Sequence, residues 1–122
     1  MPVTYTIIFA TQRRRKVFDA QETRTVFMRI LDRTAAGQGV TIPHARIRPD
    51  GVILECCLPE GKDPESFAAA VKQATSAPIR LEFRRFSRMP ALWTRQTWAR
   101  VGPIAEQDEK EIRRFFDMQK SR

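Results

Sequence analysis

The spacing of apolar residues along the chain switches between a period of two and a period near 3.6, and the switches mark its elements. Val3-Thr4-Tyr5-Thr6-Ile7-Ile8-Phe9-Ala10 is rich in β-branched and aromatic side chains and reads as a strand. A basic connection, Gln12-Arg13-Arg14-Arg15-Lys16, follows it. Over residues 20–36, Val26, Phe27, Ile30, Leu31 and Ala35 keep the spacing of one helical stripe, and Gly37 is placed to end the helix in a left-handed conformation. Val40 to Ile47 is a second strand, in which Pro43 lacks an N–H and so predicts an edge position or a bulge. Pro49-Asp50-Gly51 predicts a turn, because proline presets φ and glycine accepts φ > 0. Val52 to Leu58 is the third strand.

Asp63 is placed to cap a second helix, with Pro64 at its first position and Glu65 in its first turn. Its predicted stripe is Phe67, Ala70, Val71 and Ala74, and Pro78 is expected to end it near residue 76. Residues 79–92 read as irregular and basic. Thr94 to Val101 is a fourth strand, Gly102-Pro103 breaks the chain, and Glu106 to Gln119 is a final helix bearing Ile112, Phe115 and Phe116. The order β-α-β-β-α-β is the ferredoxin-like α+β arrangement, a four-stranded antiparallel sheet with two helices on one face, here with a C-terminal helix added.

With 122 residues the chain is expected to be a single domain, 1–122, with one modest core. No run of 18 apolar residues predicts a membrane span, and the N-terminal residues lack a secretory pattern, which places the protein in the cytoplasm. Adjacent Cys56 and Cys57 point to opposite faces of a strand and read as one buried small hydrophobe and one more exposed thiol. With His44 as the only histidine, no metal site is expected, and no cofactor. The net charge of +8 changes the picture more, because a basic domain this small attracts polyanions.

Several landmarks, in order, resemble one family. Tyr5 to Phe9 followed by Arg14-Arg15-Lys16-Val17, Asp50-Gly51-Val52-Ile53-Leu54, Lys72-Gln73-Ala74-Thr75-Ser76 with Glu82-Phe83, Pro90-Ala91-Leu92-Trp93-Thr94, Val101-Gly102 and Ile112 to Gln119 are the segments concerned. Together they resemble the single-tyrosine HUH transposases of small insertion sequences, including the relatives associated with repetitive extragenic palindromes. The resemblance implies a mechanism. Two histidines on the middle strand and a glutamine on the final helix hold a divalent metal that polarises a scissile phosphodiester of single-stranded DNA. A tyrosine one turn before the glutamine attacks and becomes a 5′-phosphotyrosine.

This chain departs from that pattern at its chemical centre. Gly51 and Ile53 stand at the two histidine positions and Phe115 at the tyrosine; Gln119 alone remains. Neither Gly51 nor Ile53 has a side-chain donor for a metal, and Phe115 has no hydroxyl. Asp50, Glu55 and Asp117 are carboxylates near the right elements, but turn and surface roles suffice for each. Tyr5 reads as structural.

What the resemblance leaves is binding. Arg13, Arg14, Arg15 and Lys16 beside the opening strand, Lys72 and Thr75 on the second helix, Arg80, Arg84, Arg85 and Arg88 after it, and Arg95 and Arg100 on the last strand are the candidates. Lys and Arg neutralise phosphates and release counterions. Trp98 is a candidate platform for unpaired bases, whereas Trp93 reads first as packing. The expected function is a transposase-derived domain that binds single-stranded or hairpin DNA without cleaving it. The alternatives are an RNA-binding or regulatory protein on the same scaffold and a protein-interaction module without a nucleic-acid ligand. The resemblance also implies a homodimer, with Phe115 and Phe116 in apolar contacts.

Overall fold

In a computed structural model, which describes residues 1–119, the near-continuous apolar runs of the first and third strands have a simple cause. Both strands are covered on both faces. β1 (Val3–Ala10) sends Ile7 and Phe9 to one side and Ile8 and Ala10 to the other. β2 (Thr41–Arg48) and β3 (Gly51–Leu58) form the predicted hairpin. β3 sends Val52, Leu54, Cys56 and Leu58 to the first side and Ile53 to the second. With the short β4 (Trp98–Val101), the sheet order is β2-β3-β1-β4 and every pairing is antiparallel. This is the expected α+β, ferredoxin-like arrangement.

α1 (Gln21–Gly37) and α2 (Pro64–Glu82) cover the first side. Phe27, Leu31, Phe67, Val71 and Ile79 pack there against Phe9, Leu54 and Leu58, all at or below 1% exposure. The centre of this core is aromatic: Trp93 meets Phe9, Phe18 and Phe27 at ring-centroid distances of 4.8, 5.6 and 5.8 Å. α3 (Glu109–Met118) lies on the other side and buries Ile112, Phe115 and Phe116 against Ile8, Ala10 and Ile53. Cys56 is buried and Cys57 is partly exposed, as expected. Tyr5 packs against the first core. No helix among the described residues is long and apolar enough to cross a membrane.

Several boundaries differ from the expectations, each for a physical reason. The left-handed residue after α1 is Gly39 (φ 69°), not Gly37, and the Val40 N–H donates back to the Ala35 carbonyl at 2.9 Å to close the helix end. Pro43 sits on the edge strand β2, where the register shifts between Thr41 and His44. Pro78 does not end α2, which continues to Glu82. The proline removes one helical N–H, but Ile79 beyond it is fully buried, and Arg80 donates to the Ser76 and Met89 carbonyls at 3.2 and 3.1 Å. The buried stripe of α2 is Phe67, Ala68, Val71, Thr75 and Ile79, turned slightly from the expected face, with Ala70 and Ala74 only half-buried. The fourth strand is four residues, because residues 94–97 fold around Lys72 instead. A 3-10 turn (Glu106–Asp108) precedes α3, where a single helix from 106 was expected.

Candidate nucleic-acid interface

Strand alternation turns Gly51 and Ile53 of β3 toward α3, so the positions of the two family histidines do face the helix that carries Phe115 and is followed by Gln119. The space between is filled. Phe116 lies directly over Gly51: a Cβ at residue 51 would overlap the ring, with its Cζ and the Phe9 carbonyl oxygen both at 2.7 Å. Gly51 is therefore present for space; its φ is not positive, contrary to the turn expectation. The Arg48 guanidinium stacks on the outer face of the same ring, 3.8 Å from its centroid. Asp50, 6% exposed, accepts from Arg14 Nε at 2.8 Å and from Arg48 Nε at 3.1 Å. Arg14 also reaches Asp117 of α3 at 3.5 Å.

The metal implied by the family resemblance does not fit these residues. Gly51 and Ile53 offer no side-chain ligand atoms, and among the described residues no three His, Cys, Asp or Glu side chains are grouped to share an ion. The three nearby carboxylates have other partners. Asp50 and Asp117 face arginine, and Glu55 accepts from the Ile104 N–H at 3.1 Å. Phe115 and Phe116 are 8% and 1% exposed within the single chain, so their apolar contacts need no second copy.

Four of the predicted basic residues converge. Arg13, Arg15, Arg85 and Arg88 line one groove of about 310 Å³ with Gln12, Met89 and Pro90. The connection after β1 builds one wall. The Gln12 N–H donates to the Leu92 carbonyl at 2.9 Å, and the Thr11 hydroxyl lies 2.6 Å from the Arg15 carbonyl and 3.0 Å from the Asp50 carbonyl. Between these anchors Arg13 and Arg14 both take left-handed conformations, φ 55° and 53°. That conformation is unfavourable for residues with a Cβ, by roughly 1–2 kcal/mol each. The reversal separates the side chains: Arg14 turns in to Asp50, while Arg13 and Arg15 stay exposed. The 3-10 turn at Arg84–Phe86 builds the other wall, where Arg85 lies over the Phe86 ring at 4.6 Å and reaches Asp19 at 4.0 Å.

Other candidates are placed elsewhere. Thr75 is fully buried; its hydroxyl accepts from Trp93 Nε1 at 2.8 Å and donates to the Val71 carbonyl, so it has no access to a ligand. Lys72 is an organiser of the loop. Its ammonium donates to the Thr94 and Gln96 carbonyls and the Thr97 hydroxyl at 3.1, 3.0 and 2.9 Å, and burial pushes its pKa down to about 8. Arg80 is held on backbone carbonyls. Arg14 and Lys16 border a second groove with Arg48 and Asp50, where the carboxylate offsets part of the charge. Arg84 is exposed outside the four-arginine groove. Arg95 lies in the loop before β4, not on the strand. Arg100 is on β4 but is paired with Asp108 and donates to the Val101 and Pro103 carbonyls. Burial opposes the charge of Asp108, yet Arg100 and the Ala105 N–H hold its pKa below the usual value.

Trp98 is half-buried, packed on one side against the α3 cluster. It also lines a cavity of about 860 Å³ between α2, the 94–97 loop and α3, with Trp93, Thr94, Arg95, Arg114 and Gln119. Gln119, 0% exposed, donates to Gln96 Oε1 at 2.7 Å. The sequence reading missed Thr94, Gln96 and Arg114 of this cavity and Arg48 of the aromatic plug, and it gave Asp50 of that plug only a turn role. No short motif carries them; only the pairing of residue 10 with residue 51 and the docking of α3 bring them together.

The fold has counterparts in known proteins. A proposed transposase from Deinococcus radiodurans R1, solved as a crystal structure, is similar with a TM-score of 0.86 at 20% identity, over 100% of this chain and 94% of that one. A REP-associated tyrosine transposase, solved bound to a REP hairpin, is similar with a TM-score of 0.62 at 12% identity, over 90% of this chain and 62% of that one. At such identities these two likenesses concern the fold alone. No match was found among the curated proteins. The family model described as "Transposase IS200 like" matches residues 2–116, nearly the full length, and the chain therefore belongs to the IS200-like transposase family.

Proposed function

We propose that this chain is a transposase-family domain that binds single-stranded or hairpin DNA and does not cleave it. The observation that carries the binding is the convergence of Arg13, Arg15, Arg85 and Arg88 on one groove, brought together from segments 70 residues apart in sequence (15 to 85). The loss of chemistry is supported by Phe116 occupying the space over Gly51 and by Phe115 in place of a hydroxyl-bearing residue. The REP hairpin in the solved structure of a fold relative makes an unpaired or hairpin DNA the first ligand to test.

The test is a fluorescence anisotropy titration of labelled hairpin and single strand at several salt concentrations. Four neutralised phosphates give a slope of log affinity against log salt of about −2.8, at roughly −0.7 per phosphate. Arg15→Ala with Arg88→Ala weakens binding regardless of sequence and flattens that slope by about 1.4. Affinity indifferent to salt, or absent at about 50 mM salt, refutes the binding reading and leaves a protein-interaction module; a preference for matched RNA hairpins moves the ligand class to RNA. The homodimer implied by the family resemblance belongs to the same proposal. It is built on surfaces other than Phe115 and Phe116, and sedimentation at micromolar concentration gives twice the 14.1 kDa monomer mass; a monomer removes it.

A further inference from the structure

The large cavity beside α3 differs in chemistry from the arginine groove. Four guanidinium groups line the groove and no carboxylate does. In the cavity Arg95 and Arg114 are matched by Glu65 and Glu111, and the remaining cation, Lys72, is already committed to loop acceptors. A site balanced in this way is poorly suited to a phosphate. It suits a neutral ligand with polar edges. Its volume, about 860 Å³, lies within the roughly 300–1,000 Å³ of small-molecule sites.

Two features show which kind of neutral ligand. The half-buried Trp98 indole lines the cavity and supplies an aromatic surface. Thr94 and Gln119, 5% and 0% exposed, line it as well, and among the described residues Thr94 Oγ1 and Gln119 Oε1 have no hydrogen-bond partner. Buried polar atoms without partners are rare in native proteins, and they ask for an external donor or acceptor. One hydroxyl that can donate or accept, one amide oxygen that accepts, and an indole nearby match the edge and the face of a nucleobase. The loop that carries Thr94 is held by Lys72, so the wall is built before a ligand arrives.

We propose that this cavity receives an unpaired nucleobase of the DNA strand whose phosphates the arginine groove holds. The base stacks on Trp98 and its polar edge is read by Thr94 and Gln119. The proposal rests on the nucleic-acid reading above and adds a base-reading site to a groove whose arginines would meet only phosphates.

The full chain is titrated with a short single strand and with its fully abasic counterpart, which carries the same phosphates. The wild type is expected to prefer the base-bearing strand by about tenfold, in keeping with the usual range for base–aromatic stacking. Trp98→Ala and Thr94→Val lower that preference several-fold and leave affinity for the abasic strand unchanged; Arg15→Ala with Arg88→Ala weakens both strands equally. Equal wild-type affinity for the two strands overturns the base pocket while the arginine groove stands. A second measurement separates the remaining outcome. Free deoxynucleosides at millimolar concentration shift the Trp98 indole N–H resonance in the wild type but not in Thr94→Val. If neither strand binds and that shift persists, the pocket stands and the strand-binding reading falls; if the shift is absent too, both fall.

Discussion

The two faces of the sheet have been built in different ways. Under α1 and α2 lies a deep core in which Phe9, Phe18, Phe27 and Trp93 interlock. Under α3 lies a small cluster, Ile8, Ala10, Ile53, Ile112, Phe115 and Phe116, fastened at its rim by Arg14, Arg48 and Asp50. The first face is what gives the chain its family fold. The second faces the positions where the family resemblance puts metal and tyrosine, and apolar packing fills it. The two faces can differ in this way because each side of a twice-covered strand is packed independently along alternate residues.

The largest test of this contrast is Trp93→Ala. It empties the aromatic centre and breaks the bond to Thr75, and is expected to cost about 3–5 kcal/mol in denaturant unfolding. Phe116→Ala, on the thinner face, is expected to cost less, about 3 kcal/mol. Equal costs would mean that the two faces do not differ in the way described.

A subtler test asks whether Gly51 and Phe116 form a matched pair. Gly51→Ala alone is expected to destabilise by about 1–3 kcal/mol, since the added Cβ overlaps the ring. In a Phe116→Ala background only the contact with the Phe9 carbonyl oxygen at 2.7 Å remains, so the same change costs less than in the wild type, a coupling of about 1–2 kcal/mol in a double-mutant cycle. Additive effects would show that the ring does not fill the space over residue 51. For the same reason, Gly51→His with Ile53→His and Phe115→Tyr is not expected to rebuild a metal site while Phe116 stays.

A further test is a pH dependence. The Lys72 pKa falls from 10.5 to about 8 in the fold, because burial disfavours its charged form. Below pH 8 both states hold the proton and the penalty is fully present. Between about 8 and 10.5 the unfolded chain binds more protons than the folded one, so this group's contribution to stability rises with pH. That rise should be missing from Lys72→Met, by comparison of unfolding curves across the window.

Much of the fold was legible because local and tertiary demands agree. The continuous runs of β1 and β3, the Asp63 cap, whose carboxylate accepts from the Ser66 N–H at 3.0 Å, and Pro43 on the edge strand all follow from local chemistry. Pro78 misled because burial of Ile79 outweighs one missing helical bond. The last strand was read too long because Lys72, 22 residues before Thr94 in sequence, draws residues 94–97 out of the sheet. At the candidate site, the absent histidines and tyrosine could be read directly, but what replaced them could not. Nothing local says that Phe116 lies over Gly51 or that Arg15 and Arg88 share a groove. Thr75 was misread for the converse reason: a polar residue on a helix looks available until Trp93 is found bonded to it.

The most direct measurement is incubation of the full chain with end-labelled hairpin and single-stranded DNA, with Mg²⁺ or Mn²⁺, resolved on a denaturing gel and matched to a native gel of the same samples. Intact DNA throughout, in samples where the native gel shows a complex, is the expected result. A metal-dependent nick or a covalent protein–DNA adduct that persists through purification to homogeneity would contradict it.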